Sequence, residues 1–381
     1  MEFASKKLAV IAPQIGALSE TFIRKHMEAL VPQNTCVIAA TNDPPYAGNW
    51  DVMGPKLILK VSDFKSMFLP KISRAMVGVL STNNYLQKKR ANVFLKKNRP
   101  DVILGEYLNF SLLWWPMVKK LGIPMYAHAH GLDISVVLKD AEWRKRYLQL
   151  NEMSGVITMS KVSKEKLIDL GVDSDKIHVV PYGVDVPDIP VTREEIEEVN
   201  CLAVGRMITK KAPIFLLDAF RRAFEKNNHL RLDYIGTGPL LPAAQHYIKA
   251  FNLEHVVKFH EGMSREKVQA FFNRADIFLQ HSVVDHVTGD EEGLPVSILE
   301  AMASALPVVS TRHAGIPEEV EEGITGFLVQ EGDTVTMAQK INLLAADPEL
   351  RQKIGLAGWQ RAKQQFSWEK EKGDLLKILF S

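Results

Sequence analysis

The densest chemistry in this chain lies in the run Gly289-Asp290-Glu291-Glu292-Gly293-Leu294-Pro295-Val296-Ser297-Ile298-Leu299-Glu300-Ala301-Met302. Pro295 suits the first turn of a helix, where a missing N–H costs nothing. The amides around Gly293 and Leu294 then form a positive helix end able to take a phosphate or a developing anion. Glu292 precedes that turn and Glu300 lies inside the helix, so two carboxylates can reach one ligand from different depths. Acidic residues at a helix start commonly do no more than offset its dipole, which accounts for Asp290, Glu291 and Glu292. It does not account for Glu300, which interrupts the apolar stretch Leu299, Ala301, Met302, where a buried charge needs a partner.

A second signal is Val204-Gly205-Arg206 with Lys210 and Lys211 shortly after. Cations at the carboxyl end of a strand can clamp a diphosphate, although either alone reads equally as a solvated basic loop. Gly236 and Gly238, in Ile235-Gly236-Thr237-Gly238-Pro239, end the next strand; a Gly-x-Gly turn also serves as a plain tight connection. In the first half, Gly16 lies in Gln14-Ile15-Gly16-Ala17, between a strand and a helix, where a backbone can approach a phosphate or sugar. The full dinucleotide pattern is missing there, so a dinucleotide site is not expected. His128 and His130 end another strand, with Gly131 and Asp133 following. Position alone leaves His130 open between a structural and a ligand-facing role.

Other chemistries lack their residues. Asp173-Ser174-Asp175 is framed by Gly171-Val172 and Lys176 and reads as a surface turn, not a metal-binding Asp-x-Asp. No His/Cys set stands at zinc spacing and no Gly-x-Ser-x-Gly elbow occurs.

These residues are carried by alternating strands and helices. In the first half, strands are expected at Leu8–Pro13, Cys36–Ala40, Val102–Gly105, Pro124–Ala129, Gly155–Ser160 and Ile177–Val180, with helices at Thr21–Leu30, Leu112–Leu121 and Lys161–Leu170. The alternation breaks at Val186-Pro187-Asp188-Ile189-Pro190, where each proline lacks an amide hydrogen and restrains its predecessor. It restarts at Cys201, with later strands at Arg231–Gly236, Val256–His260, Ile277–Gln280 and Pro307–Thr311 and a helical tail from Thr334. Continuous apolar strands separated by helices indicate parallel sheets covered on both faces. The expected fold class is therefore α/β, with two doubly wound Rossmann-like domains facing across a cleft. The expected limits are an N-terminal domain at 1–185, a linker at 186–199, a C-terminal domain at 200–365 and a terminal helix at 366–381.

Length and charge bound the alternatives. The 381 residues, 46% hydrophobic and 24% charged, are ordinary globular usage, and a net charge of +2 argues against coating nucleic acid. That sum joins unlike halves: residues 1–190 hold 25 basic and 18 acidic residues, and the remainder 22 and 27. Cys36 and Cys201 sit in separate apolar runs and read as buried thiols in a reducing cytoplasm. The start of the chain runs into a strand without an export-signal pattern, and no apolar stretch approaches a membrane span.

Taken together, these residues resemble glycosyltransferase family 4, retaining two-domain enzymes of the GT-B fold, over nearly the whole chain. The most specific element is the Glu-x7-Glu pair Glu292 and Glu300, set in Glu-Gly-Leu-Pro-Val-Ser-Ile-Leu-Glu-Ala-Met-Ala. Further matches are Gly205-Arg206 with Lys211, Pro181-Tyr182-Gly183-Val184-Asp185, His130-Gly131 with Asp133, and Ala314-Gly315-Ile316-Pro317-Glu318. Ser19-Glu20-Thr21-Phe22-Ile23 is similar to a subgroup acting in exopolysaccharide or colanic-acid-type assembly. The resemblance implies that the first domain serves the acceptor and the second a nucleotide-diphosphate sugar. Arg206 and Lys211 would neutralise the departing diphosphate, Glu300 would bind the ribose hydroxyls, and Glu292 would contact the transferred sugar. Gly293 and Leu294 would offer amides, His130 would face that sugar, and Gly16 would lie beneath the phosphates, with Gly236 and Gly238 on the donor side. No metal or other cofactor is implied. The sequence departs from the family at Ala212 and Ala305, where glycine is common, which puts the local loop geometry in question.

Between Lys56 and Arg99 eleven basic residues stand against one acid, Asp63, with Met67, Phe68, Leu69, Ile72, Met76, Val77, Val79 and Leu80 interleaved. Such a segment can lie on an anionic membrane, or simply cover the sheet as an amphipathic helix. The expected partners are thus a nucleotide-sugar donor, a glycan or lipid-linked acceptor and an anionic surface through 56–99, with no nucleic acid. The expected location is cytoplasmic, peripheral at most on the inner face of the membrane. Two alternatives stand beside this reading: an epimerase-like enzyme of the same fold, and a non-catalytic two-domain sugar-binding protein.

Overall fold

A computed structural model describes residues 3, 5–17, 20–41, 50–60, 85–193 and 197–381. The chain divides into two compact units, Met1–Val180 with Lys372–Ser381, and Pro181–Glu371. Ser19, all eight apolar residues named between Met67 and Leu80 in the basic segment, and Glu194 and Glu195 of the expected linker lie outside the described residues.

In the first unit the elements run β1 (Leu8–Ala12), α1 (Thr21–Ala29), β2 (Thr35–Thr41), β3 (Lys56–Lys60), α2 (Tyr85–Asn98), β4 (Val102–Glu106), α3 (Leu108–Leu121), β5 (Met125–His128), α4 (Ala141–Tyr147), β6 (Gly155–Thr158), α5 (Lys161–Asp169) and β7 (Ile177–Val179). The sheet is parallel, in the order β3-β2-β1-β4-β5-β6-β7. Every residue of β1 and β4 is buried, as strands covered on both faces require. The strand order reverses between β1 and β4, which opens a crevice at their carboxyl ends. The edge strand β3, with a lysine at each end, is too short and polar-flanked to be legible in the sequence. Helix α3 starts at Leu108, earlier than its aromatic run indicates, and tolerates Pro116 inside it.

The second unit runs β8 (Val199–Val204), α6 (Pro213–Phe224), β9 (Leu230–Ile235), α7 (Leu241–Ala250), β10 (Val257–His260), α8 (Arg265–Arg274), β11 (Ile277–Leu279), α9 (Val296–Ala303), β12 (Val308–Thr311), α10 (Ile316–Glu319), β13 (Gly326–Val329), α11 (Thr334–Ala346) and α12 (Pro348–Gln365). Its parallel sheet has the order β10-β9-β8-β11-β12-β13, with the reversal between β8 and β11. Val199, Cys201, Leu216, Phe220, Ile277, Met337 and Ile341 belong to its core. Asp333 and Asp347 cap α11 and α12 by accepting the amides of Thr336 and Leu350. The last helix, α13 (Trp368–Phe380), ends with Phe380 stacked on Phe3, ring centroids 5.8 Å apart.

The proline-rich stretch is anchored within the second unit. Trp359 Nε1 donates to Pro187 O at 2.9 Å and Lys363 pairs with Asp188. Val184 exchanges backbone hydrogen bonds with Phe366 and Trp368, both 2.8 Å. A Cβ on Gly183 would stand 2.5 Å from Ser367 O, so the Tyr182-Gly183-Val184 run is required by this close pairing. Cys36 and Cys201 are both free and buried.

Candidate active site

The loops at the carboxyl ends of β8, β11 and β12 gather charge around Glu292. Strand β8 delivers Gly205 and Arg206, then a short 3-10 turn, Thr209–Lys211. Lys211 Nζ stands 3.1 Å from Glu292 Oε1, with both side chains largely out of water. Burial would raise the Glu292 carboxyl, but Lys211 and Lys210 beside it hold it down at about 2. Burial also pulls the Lys211 ammonium below its usual range, with Glu292 opposing the shift. The pair is therefore ionised, a cation and a carboxylate in direct contact at a switch-point edge.

The two lysines have different tasks. Lys210, 7% exposed, donates to Asp290 Oδ1 and Glu291 O, both at 2.9 Å, and so fastens the loop that carries Glu292. Arg206 remains exposed. Gly236 and Gly238 hold this loop in place: a Cβ on Gly236 would stand 1.9 Å from Gly205 O, and one on Gly238 2.4 Å from Met207 O. Their backbone therefore touches the residues on either side of Arg206.

Helix α9 begins one residue later than its sequence implies. Pro295, with φ −73° and ψ 106°, is its N-cap rather than part of the first turn. Gly293 and Leu294 are buried just ahead of it, and Gly293 O lies against Gly315, where a Cβ would stand 2.2 Å away. Glu300 is half-exposed, which corrects the expectation of a buried charge: α9 turns that position out of the face formed by Leu299, Ala301 and Met302.

In the first unit four side chains meet at the reversal between β1 and β4. Glu106, the last residue of β4, accepts from His26 Nδ1 at 2.8 Å and from His130 Nε2 at 2.9 Å, and His128 Nδ1 lies 3.4 Å away. Burial alone would raise the Glu106 carboxyl, but the three histidines hold it well below the usual carboxylate range. Burial pushes His130 down to about 4, so its ring is neutral near pH 7. That ring lies against Phe22 and Tyr107, at 4.8 and 4.6 Å between centroids. Asp133 ties the two strand ends together, accepting the amides of His130 and Leu108 at 2.7 Å each, and burial pushes its carboxyl up to about 7. Gly16, buried with φ 90°, follows β1 in the same crevice.

The candidate ligand atoms of His26, Glu106 and His128 all lie within 4.8 Å of one another, a metal-capable grouping invisible to sequence spacing. The 2.8 Å from His26 to Glu106 is a hydrogen bond, shorter than the roughly 3.3 Å separating two ligands on one tetrahedral ion with bonds near 2.0 Å. Sequence reasoning passed over Glu106, although a charge closing the apolar run Val102-Ile103-Leu104-Gly105 at a strand's carboxyl end was its signal.

The chain matches the family model for glycosyl transferases group 1 over residues 190–361 and that for glycosyltransferase family 4 over residues 56–187. It is 33% identical to the amylovoran biosynthesis glycosyltransferase AmsK of Erwinia amylovora over 55% of this chain and 52% of that one. It is 34% identical to a putative colanic acid biosynthesis glycosyltransferase, WcaL, of Escherichia coli over 56% of this chain and 53% of that one. Against alpha-maltose-1-phosphate synthase of Mycolicibacterium smegmatis the identity is 30%, over 65% of this chain and 70% of the relative. The match to AmsK and WcaL thus spans about half the length of each. Among solved structures, Anabaena HepE, crystallised with UDP and glucose, superposes with a TM-score of 0.76 at 17% identity, over 98% of this chain and 99% of that one. Sucrose-phosphate synthase from Thermosynechococcus elongatus gives 0.77, also at 17% identity, over 98% and 99% of the two chains. The two doubly wound domains are thus those of the GT-B fold. The chain belongs to glycosyltransferase family 4.

Proposed function

We propose that this protein is a retaining glycosyltransferase that moves a sugar from a nucleoside-diphosphate donor to a glycan or lipid-linked glycan in surface polysaccharide assembly. The observation that carries this reading is the ionised Lys211–Glu292 pair at the carboxyl edge of the second unit's sheet, beside exposed Arg206. Breaking an anomeric carbon–phosphate bond leaves negative charge on the departing diphosphate and positive charge on the sugar. Arg206 and Lys211 supply fixed cations for the former, together with the amides at Gly293 and Leu294, and Glu292 lies where the latter develops. This set performs by itself the charge neutralisation for which other transferases use a metal ion, which supports a metal-independent reaction. Glu300, half-exposed on α9, is assigned to the ribose hydroxyls, and Gly236 and Gly238 to shaping the Arg206 loop. In the acceptor-side unit, neutral His130 is assigned to the transferred sugar and Gly16 to the phosphates. The names of AmsK and WcaL support polysaccharide assembly as the setting.

Incubation with UDP-, GDP- and ADP-sugars and candidate acceptors, with free nucleoside diphosphate as the readout, tests the reading. Chelator should leave the rate unchanged, and the product should keep the donor's anomeric configuration by NMR. Lys211→Ala and Glu300→Ala should each lower kcat/KM by roughly a hundredfold or more, the scale of losing a preorganised charged contact. Equal activity of Glu300→Ala and wild type would sink the site assignment.

A further inference from the structure

The amide of Glu292 donates to His313 Nε2 at 3.0 Å, while His313 Nδ1 stands 2.6 Å from Glu331 Oε1. A backbone N–H can only donate, so Nε2 must be bare; Nδ1 then carries the proton and donates to the Glu331 carboxylate. His313 is 1% exposed, on the loop after β12, and its own amide is held by Thr311 O at 2.9 Å. Glu331 is held in turn, accepting the amide of Val284 through Oε2 at 3.1 Å. Two residues beyond His313, Gly315 packs directly on Gly293 O. The Glu292 loop is thus gripped from two sides, by Lys210 through Asp290 and Glu291 O, and by His313 through the Glu292 amide.

We propose that His313, oriented by Glu331, is a positioning residue that fixes the main chain at Glu292 and so aims its carboxylate. This rests on the reading of Glu292 as the carboxylate facing the transferred sugar. Glu292, held by a hydrogen bond from its amide to His313 and by the ion pair of its carboxylate with Lys211, keeps its place only while both anchors stand. Loss of the His313 contact leaves a buried N–H unsatisfied and lets the loop seek another partner. His313 does not touch the reacting atoms, so its removal should act on kcat through the position of Glu292, with donor affinity carried by Arg206, Lys211 and Glu300. The polar groups around His313 include the Glu292 carboxylate, Glu331 and the neighbouring His281, whose own ring accepts the Gly332 amide at 2.9 Å.

The test compares full-length wild type with His313→Gln, His313→Ala, Glu331→Gln and Glu331→Ala, using whichever UDP-, GDP- or ADP-sugar the wild type turns over. His313→Ala should lower kcat about ten- to a hundredfold with donor KM within about twofold, the effect expected of a displacement near 1 Å. His313→Gln, whose amide oxygen can still accept from Glu292, should recover most of that loss. Glu331→Gln, which keeps an acceptor, should stay near wild type, and Glu331→Ala should follow His313→Ala. Hydrogen exchange at the Glu292 amide, measured on the same proteins, should speed up in both alanine variants and return in His313→Gln. Wild-type kcat and exchange in His313→Ala, or a His313→Gln as impaired as His313→Ala, would overturn the proposal. If His313→Ala does not fold, His313→Gln and the Glu331 pair decide it. If the wild type transfers no sugar from any donor, the function reading fails, and exchange at Glu292 alone decides whether His313 positions that loop.

Discussion

Glu319 occupies a position that its surroundings give no reason to charge. It is fully buried at the end of α10, and neither carboxyl oxygen finds a hydrogen-bond partner among the described residues. Burial raises this carboxyl well above its ordinary value of 4.5; Lys211 opposes the shift and Glu292 adds to it. The folded chain therefore keeps a proton that the unfolded chain releases once the pH passes about 4.5. The stability tied to that proton is complete below this pH and is lost as pH rises toward the folded value. Glu319→Gln removes the titration at nearly constant shape. Its melting temperature should exceed that of wild type by a few degrees at pH 8 and by much less at pH 5, the direction linkage requires. Identical differences at the two pH values would show that Glu319 is ionised in the fold.

At the scale of elements, the loops at Ala212 and Ala305 keep a left-handed backbone without glycine. Ala212 has φ 40° directly after Lys211, as the N-cap of α6, and Ala305 has φ 54° just past α9. A left-handed alanine costs roughly 1–2 kcal/mol, whereas glycine costs about 0.5–1 kcal/mol more in chain entropy. Ala212→Gly and Ala305→Gly should therefore raise stability by up to about 1 kcal/mol each, read as a shift in denaturant midpoint at constant slope. A loss of stability in both would mean that packing of the methyl groups outweighs backbone strain. Gly236→Ala should do the reverse and unseat the Arg206 loop, because its Cβ would collide with the main chain at Gly205. Helix α2 shows how an element reads once placed. Gln87, Ala91 and Leu95 form its buried face, while Lys89, Lys96 and Lys97 are exposed. Beyond the edge strand β3, the described part of the basic segment is thus a covering helix with a cationic outer surface.

At the scale of the molecule, the surplus of basic residues in the first half predicts attraction to anionic lipid. No helix among the described residues is long and apolar enough to cross a membrane. Wild type should pellet with vesicles containing phosphatidylglycerol at low salt, and the triple change of Lys89, Lys96 and Lys97 to Glu should weaken this by about 1 kcal/mol per cation near the surface. Equal pelleting with neutral vesicles would end the membrane reading. The alternation of strands and helices was legible because a strand in a parallel sheet is buried on both faces and must be apolar throughout, as in Val102-Ile103-Leu104. Glu292 and Arg206 were legible because each stands beside a glycine that marks a helix start or a strand's carboxyl end, and Lys211 because it follows Arg206 closely and lies two residues before Pro213 at the start of α6. The amino-acid sequence by itself thus determined two doubly wound domains, the family and the charged set of the second unit. Only the tertiary structure decided which polar side chains meet. Lys210 turned to Asp290, Lys211 to Glu292, His313 to Glu331, and Glu106 gathered three histidines from α1 and the end of β5. Those partners stand far apart along the chain and share no spacing rule, because a parallel sheet brings strand ends together by crossover, not by sequence distance.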